Sequence, residues 1–246
     1  MNILKLIVGL SVLQFEVFGF FKPSPYRFYN QGPLKEIVNE EEDFKIIYNN
    51  NFQEFEKSAD SDLVLPKLNL LFYGQVTDES CMQLTNALFA LDQVSQANAQ
   101  KSPENIVQPI ELHIQSYGGS LMPSFYVCDV IKNLETPVYT YIDGYAASAA
   151  TIMSVCGKKR YITRFSKMLI HQLSTGSQGK AAEIIDGMEN VNLFMENIRT
   201  IYLENSKLWL PELNGLLSRD IWLNSTRCLE YGLVDEIIGM DKIVKE

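Results

Sequence analysis

The stretch "PVYTYIDGYAASAATIMSVCG", residues 137–157, contains the strand-to-helix transition that decides the fold. Residues 137–144 are rich in β-branched and aromatic residues, a pattern typical of a strand. The segment 148–157 favours a short helix, and small residues fill the junction at 146–150 with Ser148 in the middle. Two interpretations of Ser148 are open at this point. It is either a nucleophile at a helix start or a small residue where two elements pack closely.

Strand-like and helix-like segments alternate on both sides of this stretch. The pattern predicts strands at 68–76, 109–116 and 137–144 and one or two more within 159–171. It predicts helices at 78–94, 120–134, 148–157 and 180–205. Pro123 is compatible with its helix only because it falls in the first turn. This order predicts an α/β layer fold with parallel strands.

The long segment 180–205 has apolar residues on more than one side. One stripe advances in steps of four and three residues: Ile184, Met188, Val191, Met195, Ile198 and Tyr202. Four other apolar residues lie off that stripe: Ile185, Leu193, Phe194 and Ile201. A helix of this kind must be covered on more than one side, and at about 1.5 Å per residue it is on the order of 35–40 Å long. We therefore expect a projecting helix that forms an oligomer contact, with a core helix as the alternative.

Composition excludes several classes of function. The chain has 246 residues, 46% of them hydrophobic and 21% charged, as in ordinary soluble globular proteins. A net charge of −9 argues against a protein that binds a nucleic-acid backbone. The cysteines are far apart, with no CxxC pair and two histidines in the whole chain, which argues against a zinc site and favours free thiols in a reducing compartment.

The N-terminal region differs from the rest of the chain. Residues 1–21 form a signal-like apolar leader, which is too short for a confident membrane span. Residues 22–62 are first transit-like and then acidic, and we expect a poorly packed lead-in with at most one short element. The globular body is predicted at 63–246. A signal followed by a transit stretch is typical of plastids of secondary origin, with an uncleaved anchor or a merely apolar N-terminus as alternatives.

A serine nucleophile needs a base, a group that orients the base, and donors for the oxyanion. The histidines offer two candidates for the base. His113 lies inside an alternating strand, whereas His171 ends a strand before a loop-like segment and is the better candidate. Gly118 and Gly119 end another strand and lead into a helix, where backbone N–H groups can approach a substrate closely. Taken singly, the histidine is more often structural and the glycine pair more often a turn.

Five motifs together resemble the ClpP family, the proteolytic subunits of Clp protease. They are "SYGGS", "GYAASAA", "KMLIHQ", "GSQGKAAE" and "SRDIWLNSTRCLEYGLVDEI", and the resemblance runs from about Leu70 to Ile238. It implies a ClpP/crotonase-like spiral of βαβ units in which the long segment 180–205 is the projecting handle helix.

The resemblance also implies the site and its chemistry. Ser148 would be the nucleophile, His171 the general base and Asp220 the residue that orients it, as in a serine endopeptidase. The backbone N–H groups of the oxyanion site would come from Gly118, Gly119 and Ala149. The resemblance implies no metal and no organic cofactor.

The partners follow from the same resemblance, and the location follows from the N-terminal leader. It implies heptameric rings of one or several related chains, stacked as a tetradecamer, that degrade unfolded polypeptides in an enclosed chamber. A Hsp100-type ATPase partner would use the ATP, and no nucleic acid would bind. The leader places such a chain in the plastid stroma, with the mitochondrial matrix as the alternative.

The chain departs from the family pattern at several places. Tyr117 replaces the usual Pro before the glycine pair, and Ala149 and Ala150 replace the usual Met and Gly. The interval from Ser148 to His171 is two residues shorter than the pattern. His113 stands where the family tends to have an aromatic residue on the chaperone-facing rim, and the family's "YSRLL" segment is absent from the lead-in.

Three rival functions remain open. The first is a non-catalytic structural subunit of a mixed Clp ring. The second is an acyl-CoA enzyme of the related crotonase type, which would use a carboxylate rather than a Ser/His pair. The third is a membrane-associated signal-peptide peptidase, which would rely on a Ser/Lys pair.

Overall fold

The computed structural model describes part of the chain. Side chains are described for residues 68–101, 103, 105–176 and 178–239, and the backbone is described for two further strands at 34–38 and 44–49. These residues belong to one compact unit that spans Gly32–Glu246. The leader predicted at 1–21 lies outside the described residues. Among the described helices, none combines the length and the hydropathy of a membrane-spanning segment.

A mixed sheet forms the centre of this unit. Its strands are β1 (Leu34–Val38), β2 (Phe44–Asn49), β3 (Leu68–Gly74), β4 (Ile110–Ser116), β5 (Val138–Ala147), β6 (Lys159–Thr163), β7 (Lys167–Leu169), β8 (Trp222–Asn224) and β9 (Glu236–Ile238). The order is β1-β2-β3-β4-β5-β6-β9, while β7 pairs with β5 and with β8. The pairs β3–β4, β4–β5, β5–β6, β5–β7 and β6–β9 are parallel. The predicted α/β class with parallel strands is confirmed.

The described helices include the four that the sequence predicts and two further ones that it does not predict. They are α1 (Asp78–Lys101), α2 (Leu121–Asn133), α3 (Ala149–Val155), α4 (Ala181–Asn205), α5 (Leu210–Leu217) and α6 (Ser225–Glu230). The first helix runs seven residues beyond the predicted end at 94, and β5 runs to Ala147 rather than to 144. The segment 159–171 contains two strands, at the upper limit of the prediction.

The lead-in differs from its prediction. The sequence predicted at most one short element before residue 63, and the structure has two strands, β1 and β2, in that region. They form an antiparallel pair, and β2 also pairs antiparallel with β3. These strands extend the sheet at one side, and they were not predicted because the acidic composition of the segment does not favour strands.

One face of the sheet is buried and the other is partly exposed. Along β3, β4 and the first half of β5, buried and half-buried residues alternate, because successive side chains of a strand point to opposite faces. The buried face contributes Leu70, Leu112 and Ile142 to the core beneath the helices. The opposite face carries His113, which stacks on Tyr141 of the neighbouring strand at 4.6 Å between ring centroids. The active-site candidates lie at the carboxyl ends of the parallel strands.

The long helix α4 is buried only in its C-terminal part. Met195, Ile198 and Tyr202 from the predicted stripe are buried, while Met188 and Ile185 are 63% and 58% exposed. The N-terminal half therefore leaves the core of this chain, as expected for a projecting helix. Its function as an oligomer contact stays a prediction.

The cysteines are all buried free thiols. Burial raises the pKa of Cys81 to about 11 and that of Cys228 to about 12. Cys128 and Cys156 lie together between α2 and the end of α3; their mutual hydrogen bond and burial raise the pKa of Cys128. Among the described residues, no three His, Cys, Asp or Glu side chains are grouped as metal ligands.

Candidate active site

Ser148 lies at the abrupt turn between β5 and α3. Its backbone has φ 54° and ψ −129°, a conformation that non-glycine residues rarely adopt. The Ser148 N–H donates to the Leu169 carbonyl of β7 at 2.9 Å, so the turn is held from the neighbouring strand. A strained strand-to-helix turn is a known way to present a serine hydroxyl at the end of a sheet.

Gly118 packs directly against this turn. A Cβ added to Gly118 would lie 2.7 Å from the Ser148 Cβ and 2.6 Å from the Ala147 carbonyl oxygen, and its φ is +91°. A Cβ on Gly119 would meet the Val76 carbonyl oxygen at 2.1 Å. Gly118 is therefore required for its backbone to reach the serine this closely, and Gly119 for its backbone to lie against Val76.

The three predicted oxyanion donors differ in their hydrogen bonding. Ala149 is the first residue of α3, so its N–H has no intrahelical acceptor. Among the described residues no acceptor contacts the Gly119 N–H either. The Gly118 N–H donates to the Ser116 hydroxyl at 3.0 Å. Its predicted contribution to an oxyanion site therefore requires that this internal hydrogen bond be exchanged for one to substrate.

His171 and Asp220 are brought together by the pairing of two short strands. β7 and β8 pair antiparallel with Leu169 opposite Trp222, which places the residues just beyond their ends side by side. The Gln172 N–H also donates to the Leu217 carbonyl at 2.8 Å. As a result, His171 Nδ1 lies 3.3 Å from Asp220 Oδ1.

The exposure of the pair is unequal. The His171 side chain is 24% exposed and that of Asp220 is 80% exposed. Within the described residues, no hydrogen bond joins the Ser148 hydroxyl to the His171 imidazole. The structure thus brings the three segments of the predicted triad together and forms its His–Asp contact, without a closed Ser–His hydrogen bond.

The backbone of the serine turn is tied to α4 from below. The Thr151 hydroxyl donates to the Ser148 carbonyl at 2.6 Å and lies 2.6 Å from the Tyr202 hydroxyl. Tyr202 is 1% exposed, and its burial raises the pKa of the phenol. The long helix therefore contacts the candidate nucleophile through one buried hydroxyl chain.

Sequence reasoning missed a polar cluster on the half-exposed face of the sheet. Asp143 Oδ2 accepts a hydrogen bond from the Tyr73 hydroxyl at 2.8 Å and lies 2.8 Å from His113 Nδ1. Burial raises the pKa of Tyr73, and the Asp143 charge adds to the shift. Strand alternation could have placed these residues on one face, but the sequence alone does not give the diagonal contacts between strands.

Two of the cavities that open on the described part of the chain bear on the site. One of about 510 Å³ lies among Lys158, Arg160 and Asp235 and contains none of the predicted catalytic residues. The other, of about 460 Å³, is lined by Gly74, Gln75, Tyr117, Gly118, Gly119 and Tyr145. The smaller cavity is the one beside the candidate chemistry, because Gly118 both lines it and contacts Ser148.

A family model described as Clp protease matches residues 56–241. The match covers most of the chain, and the chain belongs to the Clp protease family. The α/β fold with its parallel sheet is consistent with that membership. The resemblance inferred from five short motifs is therefore confirmed at the level of the family.

Relatives in bacteria share this similarity along most of their length. An ATP-dependent Clp protease proteolytic subunit 2 of Treponema pallidum is 28% identical over 69% of this chain and 81% of its own. A proteolytic subunit 1 of Chlamydia abortus is 29% identical over 71% and 88% of the two chains. A proteolytic subunit 2 of Treponema denticola is 27% identical over 80% and 96%. That this chain is a plastid-type member of the family stays a prediction.

Proposed function

We propose that this chain is the proteolytic subunit of an ATP-dependent Clp protease and a serine endopeptidase that cleaves unfolded polypeptides. The observation that supports it most directly is the 3.3 Å contact between His171 Nδ1 and Asp220 Oδ1, beside a Ser148 turn packed on Gly118. Family membership and the similarity to ATP-dependent Clp protease proteolytic subunits support the same activity.

The proposed mechanism follows from these positions. Since Nδ1 of His171 faces Asp220, Nε2 is left to take the proton of the Ser148 hydroxyl as it attacks the substrate carbonyl. Asp220 holds the imidazole in this tautomer and stabilises its charged form. The N–H groups of Ala149 and Gly119 bind the oxyanion, with Gly118 as a third donor once it releases Ser116. The imidazolium then returns the proton to the leaving amine as the C–N bond breaks, which leaves the acyl group on Ser148 as an ester. A water molecule that gives its proton to His171 hydrolyses this ester, and the imidazolium returns the proton to the Ser148 oxygen.

The Ser148 and His171 side chains must move into contact during this reaction. Catalytic hydrogen bonds are often long or misaligned without substrate and tighten when it binds. The 80% exposure of Asp220 leaves that carboxylate free for a neighbouring subunit to cover.

Peptide hydrolysis by the purified full-length protein tests the proposal. We expect the wild type to cleave a short fluorogenic peptide and Ser148→Ala to lose at least about 10³-fold in kcat. Ser218→Ala removes another exposed hydroxyl, which donates only to the Gly215 carbonyl, and should retain the wild-type rate. A fluorophosphonate should label the wild type and Ser218→Ala but not Ser148→Ala. Equal hydrolysis by wild type and Ser148→Ala would end the claim.

A non-catalytic structural subunit is the second candidate. The missing Ser148–His171 hydrogen bond in the described structure favours it. If the assembled protein neither hydrolyses the peptide nor reacts with the fluorophosphonate, this candidate replaces the first.

Assembly belongs to the same proposal. The exposed apolar residues of α4 suit a contact between chains, and we propose heptameric rings stacked as a tetradecamer with an ATPase partner that delivers substrate. Mass measurement in solution, alone and with the ATPase, tests the ring and its partner separately.

The location of the protein is proposed from the N-terminal sequence alone. We propose that the signal-like leader at 1–21 and the transit-like stretch that follows it direct the chain to the plastid stroma, with the mitochondrial matrix as the alternative. Fusion of these residues to a fluorescent protein distinguishes the two compartments.

A further inference from the structure

Two buried thiols meet between α2 and the end of α3. Cys128 and Cys156 are 4% and 3% exposed, and a hydrogen bond joins their side chains. The Cys128 thiol also donates to the Ile152 carbonyl of α3 at 3.4 Å. The proposed peptidase mechanism uses neither sulfur. Two thiols within hydrogen-bond reach of each other need little movement to form a disulfide.

The surroundings of the pair favour a thiolate at Cys156. The hydrogen bond from Cys128 lowers the pKa of Cys156, and the charges of Lys132 and Arg160 lower it further, against burial and the Asp129 charge. These two cations also offset the negative end of α3, where Cys156 is the C-cap residue. The same hydrogen bond raises the pKa of Cys128. The pair therefore combines one thiol that ionises more readily with one that stays protonated.

A cavity lies beside Cys156. The cavity of about 510 Å³ is lined by Val155 and Gly157, the residues on either side of Cys156, and by Lys132 and Arg160. A small polar molecule in this cavity is close to the better ionised thiol and to the cations beside it. Because both sulfurs are buried, a bulky reagent cannot reach them, and the reactant that enters must be small.

We propose that Cys128 and Cys156 form a redox-active dithiol that hydrogen peroxide oxidises to a disulfide. The Cys156 thiolate attacks first: an S–O bond forms, the O–O bond breaks, and the leaving oxygen takes up the proton that the thiol released. The Cys128 sulfur then attacks the sulfenic acid of Cys156, so that an S–S bond forms, the S–O bond breaks and water leaves. Two thiols and one peroxide thus become one disulfide and two water molecules.

The disulfide would join two helices that begin at the candidate active site. Helix α2 begins shortly after Gly118 and Gly119, and α3 begins directly after Ser148. An S–S bond of about 2.05 Å is shorter than any contact between unbonded sulfurs, so α3 must shift toward α2 when it forms. A displacement of about 1 Å can cost an enzyme about 10²-fold in rate. This effect rests on the proposed peptidase function, whereas the dithiol itself does not.

Peptide mapping tests the disulfide without any need for activity. The native full-length protein is treated with hydrogen peroxide, the peroxide is removed with catalase, free thiols are alkylated in denaturant, and trypsin is added without a reductant. Trypsin separates the pair, because Cys128 lies in the tryptic peptide 102–132 and Cys156 in 133–158. We expect these two peptides to be joined in a product that dithiothreitol splits. Alkylation of both thiols after peroxide treatment would refute the proposal.

Single variants test the order of attack. Cys128→Ala removes the thiol that resolves the sulfenic acid, so dimedone should trap that acid on Cys156. Cys156→Ala should give no dimedone adduct on Cys128. Cys228→Ala is the matched control, since it removes another buried thiol, which donates to the Leu223 carbonyl, and it should still form the disulfide. Equal trapping in Cys128→Ala and Cys156→Ala would refute the assignment of the attacking thiol. If a variant does not fold, the wild-type peptide map still decides whether the disulfide forms.

Peptide hydrolysis before and after oxidation separates the dithiol from the proposed function. We expect the oxidised wild type to lose at least about tenfold in kcat and to recover with dithiothreitol. Cys156→Ala should keep its own rate through the same treatment. An unchanged rate in protein whose disulfide has been mapped would refute the effect on the active site. If the reduced wild type does not hydrolyse the peptide, the proposed function fails, while the peptide map still decides the dithiol.

Discussion

At the scale of single residues, the positive φ of Ser148 presents its hydroxyl at the end of the sheet but lowers the stability of the fold. Residues held in such regions cost about 1–3 kcal/mol, and the surrounding contacts must hold them there. The Leu169 carbonyl, the Thr151 hydroxyl and the Gly118 backbone all act on this one turn. The strain therefore lies at the residue that is proposed to react.

A pair of substitutions separates the strain from the hydroxyl. We expect Ser148→Gly to be about 1 kcal/mol more stable than Ser148→Ala, because glycine adopts the positive φ without steric cost even after its greater unfolded-state entropy is counted. Urea unfolding monitored by tryptophan fluorescence gives the two free energies. If Ser148→Ala is the more stable variant, the turn is not strained in solution.

At the scale of elements, the helix α4 and the serine turn are coupled through Tyr202. We expect Tyr202→Phe to lower the free energy of unfolding by about 1 kcal/mol, because the Thr151 hydroxyl loses a buried partner while the ring packing remains. Tyr126→Phe is the control, since Tyr126 is 55% exposed and should change stability little. Equal effects in the two variants would remove the buried hydroxyl chain as a stabilising contact.

The pairing of β6 with β9 gives a pH-dependent prediction. Burial alone would raise the pKa of Asp235, but hydrogen bonds and charge from Arg160 outweigh burial and lower it. A lowered folded-state pKa stabilises the protein above the unfolded value of about 3.9 and loses this contribution as pH falls through the folded value. We expect Asp235→Asn to cost about 1 kcal/mol, a small figure because the carboxylate is 44% exposed.

Acid titration of stability checks the sign. The difference between wild type and Asp235→Asn in the free energy of unfolding should be constant above about pH 5 and shrink below about pH 4. A difference that grows as pH falls would contradict the assigned direction.

At the scale of the whole molecule, the exposed half of α4 predicts assembly. Met188 and Ile185 leave apolar surface in water that a second chain can cover. We expect Met188→Glu combined with Ile185→Glu to reduce the mass of the assembly measured by light scattering. Ile106→Glu changes an equally exposed apolar residue elsewhere and should leave the mass unchanged. Full assembly of the double variant would exclude this half of the helix as the contact.

Much of this architecture was predictable from sequence because the spacing of apolar residues matches the buried faces of the strands and helices. The strand at 109–116 and the C-terminal part of the helix at 180–205 have patterns that burial imposes directly. The strands β1 and β2 were missed because their acidic segment does not show a buried face. Likewise, Tyr202 was placed on the helix stripe, but its contact with Thr151 depends on how α3 and α4 pack.

The residues of the candidate site likewise divide into those that the sequence predicts and those that it does not. Ser148 and His171 could be proposed from a strand end and a scarce residue type, whereas Asp220 was found only through the family motif. The engagement of the Gly118 N–H by Ser116 depends on the path of a single turn and has no sequence signal.

Because the four cysteines are buried, we expect maleimides and similar thiol reagents not to react with the folded protein. Since the native thiols are both inaccessible and, at Cys81 and Cys228, poorly ionised at neutral pH, one cysteine introduced at an exposed position becomes a unique attachment point. Dyes or cross-linkers placed there can follow subunits as they associate, without first removing any native sulfur.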